Sequence, residues 1–304
     1  MIQLKYPRQR IFVAFLIYTL LSFAVATLSF WLFRRVESIN HLADQVHKLH
    51  ITIRNLSKLR SDFLLNEPFN EEFYKTGNSY FLKEYVVNQS IILSSIDSIK
   101  ESAQAKKWKM NRSLDTLYKE VKTSTSKMKE LAQIIRVRGY KNYGLEGVMR
   151  EYIQQLELQP NTNIVLVLQL QRYEKNFIHT LDSSSLSKWK VNFDSLTKDI
   201  VNNKKSELEE KYKHLAYLNA YKEAFEHFVR VDYQIGYRQE SGLTKETNLK
   251  DQLILSHINK LDTYSQKKKD SILIQLRFIT VVVVTLSVIA SMLLNLSFPY
   301  IMKI

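Results

Sequence analysis

Two arginines stand where an apolar side chain would be expected. After residue 34, Ile39, Leu42, Val46, Leu49, Ile53, Leu56 and Phe63 recur every three or four positions, and the place between Leu56 and Phe63 is taken by Arg60. A second stretch carries Leu114, Leu117, Val121, Met128, Leu131 and Ile135, with Ser124 in phase, and the next position of that phase is Arg138. A 3-4 spacing draws one seam along a helix, so both guanidinium groups lie on the side that carries the core. An unpaired guanidinium costs several kcal/mol to desolvate there. It must meet a protein carboxylate, for which Asp62, Glu146, Glu157 and Glu174 are candidates, or an anion arriving from outside. Its planar fork suits a carboxylate held at two points.

Other chemistries find few residues to work with. The chain has no cysteine, which removes disulfides, thiol nucleophiles and cysteine metal sites together. Seven histidines are scattered. The closest group, His41, His47 and His50, lies on a polar helical stretch with no carboxylate spaced to complete a zinc site, so these are expected to be surface histidines and no metal ligand or cofactor is assigned. There is no glycine-rich phosphate loop, no HExxH and no nucleophile elbow. No catalytic residue is assigned.

The elements that must position the two arginines are bracketed by two uncharged apolar stretches, residues 11–33 and 278–302. The first is 23 residues long, roughly 34 Å as a helix, enough for a hydrocarbon core of about 30 Å. Both are expected to span a membrane. Ala24, Val25 and Ala26 resemble a signal-peptidase site, but the apolar run continues through Phe30, Trp31, Leu32 and Phe33, which predicts an uncleaved anchor. Residues 34–277 are then a body large enough for one elongated domain or two stacked ones, with 1–10 and 303–304 on the opposite side of the membrane. The net charge of +14 leaves +10 on that body, because the two ends hold only Lys5, Arg8, Arg10 and Lys303 and no acid. The charges alternate in sign, as at residues 204–213, which marks solvated helix faces and not a nucleic-acid tract. Arg34, Arg35, Lys267, Lys268, Lys269 and Arg277 pull the body toward the cytoplasm, whereas Lys5, Arg8 and Arg10 pull the other way.

Prolines occur only at 7, 68, 160 and 299, and glycines only at 77, 139, 144, 147, 236 and 242, so long helices are expected. Beyond the two seams, helices are predicted over about 70–104, 145–158, 162–181, 186–235 with a break, and from 244 into the second apolar stretch. Leu166, Leu170, Tyr173 and Phe177 form a further stripe, as do Ile254, Ile258 and Leu261. Stripes of this kind are core, and together they predict an all-α fold of helix bundles joined by short turns.

Residues 138–157, RGYKNYGLEGVMREYIQQLE, resemble the signature of the helical bimodular sensor domain, G-x-x-x-x-G-L-x-G-x-x-R-x-x-x-H-x-L-E, with Gln154 where a histidine is common. The stretch 170–177, LQRYEKNF, is similar to that family's L-R-R-x-E-K-D-F segment, and Tyr221 to Phe228 followed by Gly236, Gly242 and Leu243 to its Y-x-x-x-F and I-G-x-x-x-x-x-G-L stretch. The short likeness of residues 59–63 to 173–177 fits two related modules. The resemblance implies two stacked four-helix bundles that share long helices, flanked by two transmembrane helices, with residues 34–277 on the outer, periplasmic side of a bacterial inner membrane. It implies a signal receptor, the sensory portion of a histidine kinase or chemoreceptor, that binds a small organic acid or a periplasmic binding protein. A homodimer is expected, with no nucleic-acid partner on the charge pattern above, and the alternative reading is a membrane-tethered helical scaffold without ligand, against which the inward Arg60 and Arg138 weigh. Arg150 and Arg172 join Arg60 and Arg138 as ligand-binding candidates on the motif match. Gly144 and Gly147 are expected to allow close backbone approach. In that family a relay domain begins near Pro299, so residues 303–304 are expected to open it, and the sequence is expected to be either the sensory portion of a longer receptor or a receptor that has lost its transmitter.

Overall fold

The computed structural model describes residues 7–236 and 241–302, of which 7–11, 14 and 293–302 are described by their backbone alone. The outermost residues assigned to the two chain ends, 1–6 and 303–304, and the middle of the stretch between Gly236 and Gly242 lie outside the described residues. The fold is all-α. In chain order the helices are α1 Pro7–Asn66, α2 Glu71–Thr76, α3 Tyr80–Glu101, α4 Ala103–Lys107, α5 Asn111–Arg138, α6 Gly144–Glu157, α7 Ile164–Thr180, α8 Ser183–Asn202, α9 Leu208–Ile235 and α10 Gly242–Met302, with a 3₁₀ turn at Glu67–Phe69. Among the described residues there is no strand, only an isolated bridge between Tyr140 and Tyr143.

The breaks fall where side chains or left-handed backbone replace lost helical hydrogen bonds. The region 70–104 divides into three helices: Gly77, with φ +75°, closes α2 by donating its N–H to Phe73, and the Ser79 hydroxyl accepts the Leu82 N–H to open α3. Leu181, also left-handed, ends α7, and Asp182 opens α8 by accepting the Ser184 N–H at 3.0 Å. Between α8 and α9, Asn203 donates to the Asn161 carbonyl at 2.9 Å and accepts the Lys205 N–H at 3.0 Å. That turn is where the long 186–235 stretch divides.

The chain separates into two compact units. The first gathers Met1–Ile51, Ser94–Leu117 and Ser256–Ile304; the second gathers Thr52–Leu93 and Tyr118–Leu255. In the first unit Ile39, Leu42, Val46 and Leu49 from α1, Leu114 and Leu117 from α5, and Ile258 and Leu261 from α10 are buried. α1 and α10 also carry stretches long and apolar enough to cross a membrane. Only 6% of each such stretch is covered by protein, and Phe15, Phe23, Phe278 and Val281 stand exposed.

In the second unit, α6, α7, α8 and α9 pack around one core. Its centre is aromatic: the Trp189 and Phe225 rings lie 4.4 Å apart, and Phe177 meets Phe225 edge-on at 5.8 Å. Burial of such rings contributes about 1.5–3 kcal/mol each, which holds four helices of modest length together. Ile53, Leu56, Phe63, Val121, Met128, Leu131, Ile135 and Ile254 are buried in the same unit, so both expected seams are core.

Candidate functional site

Arg60 turns inward as its phase requires, and its counter-ion is part of the protein. In the second unit its Nε lies 2.7 Å from Asp251 Oδ2, with both side chains 7% exposed. The two atoms meet by charge and not as an aligned hydrogen bond, and Arg60 Nη1 donates to Thr247 Oγ1 at 3.4 Å. The far carboxylate oxygen of Asp251 accepts from Ser124 at 3.3 Å, and Ser124 shares a hydrogen bond of 3.1 Å with the Tyr85 hydroxyl. Ser124, the polar member of the α5 seam, is thereby explained. Burial raises the Asp251 pKa against the opposing pull of Arg60, and burial likewise pushes Tyr85 up to about 12. Of the two counter-ions open to Arg60, the structure supplies a carboxylate. Asp251 is none of the acids singled out from the sequence, because it lies on α10, far along the chain.

Arg138 repeats the solution. Its Nε donates to Asp232 Oδ1 at 2.6 Å, its Nη1 lies 3.9 Å from Glu146, and its guanidinium sits 4.7 Å above the Phe228 ring. Asp232 is on α9, in phase with Tyr221, Phe225 and Phe228. Asp251 likewise falls in phase with Ile254 and Ile258 on α10. In each case a carboxylate on an apolar stripe faces an arginine on another, and that shared phase is the signal the sequence held for both partners.

Unlike Arg60, Arg138 also borders open space. A cleft of about 960 Å³ in the second unit is lined by Arg138, Glu146, Arg150, Gln154 and Glu157 from α5 and α6, and by Gln171, Glu174, Lys175 and His179 from α7. Asp232 stands at its wall, and Phe69, Ile153, Leu168 and Ile178 add apolar surface. Arg150 is exposed, donates to Asn142 at 3.3 Å and lies 3.8 Å from Glu146. Arg172 is exposed and does not line the cleft. The structure thus brings Arg138 and Arg150 together, and it places Arg60 and Arg172 away from that space. A smaller cavity of about 370 Å³ in the first unit, edged by Trp108, Lys109, His257, Lys260 and Tyr264, holds none of the four.

The acids of the cleft are in different states. Glu157 accepts from Gln171 at 2.6 Å. Glu174 accepts the Tyr221 hydroxyl at 2.5 Å, yet burial outweighs that bond and lifts its pKa to about 7. Near neutrality it is therefore partly a neutral acid, able to donate as well as accept. Asp232 is occupied by Arg138. Lys175, exposed on the cleft edge, makes no hydrogen bond or ion pair among the described residues. Neither it nor Glu174 was singled out from the sequence as a ligand residue, and their place on the cleft side of α7 became visible only once α6 was set beside it.

The glycines of residues 138–147 build the turn that aims these side chains. Gly139 and Gly144, both with positive φ, approach so closely that a Cβ on Gly144 would stand 2.6 Å from the Gly139 Cα. A Cβ on Gly147 would stand 2.3 Å from the Asn142 carbonyl carbon. The expected close backbone approach is found at both Gly144 and Gly147. It sets α6 against the end of α5 and so holds Arg150 near Arg138. Comparison with known proteins gave no matching family model, no matching curated protein and no matching solved structure.

Proposed function

We propose that this chain is the sensory portion of a bacterial transmembrane signal receptor of the helical bimodular type, which binds a small organic acid in the cleft between α6 and α7. Residues 34–277 stand on the periplasmic side as two stacked four-helix bundles, between inner-membrane spans at 11–33 and 278–302, in a homodimer. The observation that carries the ligand assignment is the charge arrangement around the cleft. Arg138 is held by Asp232, Glu157 is engaged by Gln171, and Glu174 is partly protonated near neutrality, so that Lys175 and Arg150, the latter only loosely paired with Glu146 at 3.8 Å, are the cations exposed at the cleft. A ligand carboxylate seated between them gains charge-assisted hydrogen bonds. The amides of Gln154 and Gln171 and the neutral form of Glu174 suit hydroxyl or amino groups on the same molecule. Binding shifts α10, and the span it enters, relative to α1. Displacements of about 1–2 Å suffice in packed helical interfaces, at a coupling of about 1–3 kcal/mol.

Calorimetry of the full chain in lipid nanodiscs against a panel of mono- and dicarboxylic acids tests this. One class of acid is expected to bind, and Arg150→Ala with Lys175→Ala to weaken it at least tenfold each, about 1.4 kcal/mol. Binding that survives in the double variant, or a panel with no binder, defeats it. In the second case a protein ligand, such as a solute-loaded binding protein, takes precedence. That alternative has its own support, because Leu158, Val165, Val201, Leu208 and Tyr212 are exposed at the end of the α6–α9 unit where Asn203 meets Asn161.

A further inference from the structure

His47 and His50 acquire in three dimensions the carboxylate they lack in sequence. Three residues apart on α1, they present their rings on one face of the helix, where Asp262 of α10 meets both. All of this lies within the first unit. His47 Nδ1 lies 3.1 Å, and His50 Nδ1 2.9 Å, from the same oxygen, Asp262 Oδ2. The three ligand atoms fall within 4.8 Å of one another, and the imidazoles stand at 87° to each other. The second carboxylate oxygen accepts the Gln266 amide at 3.5 Å, an outer contact of the kind that orients a ligating carboxylate.

We propose that His47, His50 and Asp262 form a binding site for a divalent transition-metal ion that ties α1 to α10. Two imidazole nitrogens and one carboxylate oxygen, with no thiolate anywhere in the chain, suit zinc, nickel, copper(II) or iron(II) better than calcium or magnesium. For metal–ligand bonds of about 2.0–2.2 Å, tetrahedral coordination sets ligand atoms roughly 3.3–3.5 Å apart. Two of the three separations are already close to that, and the third closes by rotation of the exposed His47 ring, whose side chain is 55% accessible. The same exposure leaves the outer side of the ion to water or a further ligand, which makes the site an exchangeable one. Binding requires both Nδ1 atoms to give up their protons, the imidazole hydrogens moving to Nε2. The hydrogen bonds to Asp262 are then replaced by bonds to the ion.

The position gives the site a consequence. His47 is 14 residues beyond the first apolar stretch, about 21 Å along α1, and Asp262 is 16 residues before the second, about 24 Å along α10. An ion held there clamps the two helices that continue into the membrane-spanning stretches, at a place separate from the organic-acid cleft. Metal availability is thereby an input to the receptor in its own right.

Zinc is the probe. The full chain, purified in nanodiscs with no polyhistidine tag, is titrated with zinc by calorimetry at pH 7.5, and with cobalt(II) to follow the visible absorption of a low-coordinate site. One ion per chain is expected. His47→Gln, which removes an exposed ligand without disturbing packing, and Asp262→Asn should each weaken binding at least tenfold and bleach the cobalt bands, whereas His227→Gln, exposed on α9, should change neither. No saturable binding in the unaltered chain, or binding that survives both substitutions, overturns the proposal and leaves the three side chains as a hydrogen-bonded trio.

Discussion

Arg60 and Asp251 form a pair in which each charge exists for the other. Removing one partner strands the second in a dry interior, which typically costs about 3–5 kcal/mol, whereas replacing both with apolar residues of similar size is often neutral. Arg60→Leu and Asp251→Leu should therefore each lower the unfolding free energy by several kcal/mol, and Arg60→Leu/Asp251→Leu should recover most of the loss. Denaturant unfolding of the four chains in micelles measures it, and strictly additive losses would show that the two residues are not coupled. The arginine half of this pair is legible in the sequence, because a cation in phase with seven apolar residues has nowhere else to point. The aspartate half is not: residue 251 is in phase with Ile254 and Ile258, but only the packing of α1 against α10 within the second unit makes it the partner of residue 60. The same holds for Arg138 and Asp232, and for the two histidines and Asp262.

At the scale of elements, hydrophobic period and the rarity of breakers placed most helices within a few residues of where they lie. The stripes Leu166–Phe177 and Ile254–Leu261 are core or border it, as their spacing requires. The breaks carry a weaker signal in the sequence. Nothing in the period distinguishes 203–207 from its flanks, and the turn there is held by Asn203 reaching across to Asn161, a contact between distant parts of the chain. The turn before α6 is different, since three glycines in nine residues announce it. A methyl group on Gly147 would collide with the backbone of Asn142, which cannot swing aside as a side chain can. Gly147→Ala is expected to cost about 1–3 kcal/mol and to lower the midpoint of thermal unfolding. An unchanged midpoint would mean that α6 does not approach the turn so closely. Because Arg150 rides on α6, the same substitution should also weaken organic-acid binding.

For the molecule as a whole, the cleft couples stability to pH through Glu174. Its pKa rises from about 4.5 unfolded to about 7 folded, so between those values the native chain keeps a proton that the unfolded chain has released. The Glu174 contribution to stability therefore falls as pH rises through that window and is flat on either side, by an amount on the order of 3 kcal/mol. Unfolding followed from pH 4 to 8 should show this loss, and Glu174→Gln should make it markedly smaller and stabilise the chain at pH 8, leaving only what Asp251, also raised by burial, contributes at the acid end; a slope unaltered by the substitution would assign it to other groups. By itself the sequence determined that the chain is all-α, that two of its helices are long and apolar enough to cross a membrane, and that guanidinium groups face the core. Each of these follows from local quantities: the period of apolar residues along one helix, the length of an uncharged run, and the cost of leaving a charge without a partner. Tertiary structure alone decided which acid answers each arginine, that Arg138 and Arg150 share a cleft while Arg60 and Arg172 do not, and that His47 and His50 face a carboxylate 215 and 212 residues away. Those are matters of which helix lies beside which, and a one-dimensional pattern fixes the face a side chain occupies but not the neighbour that face will meet.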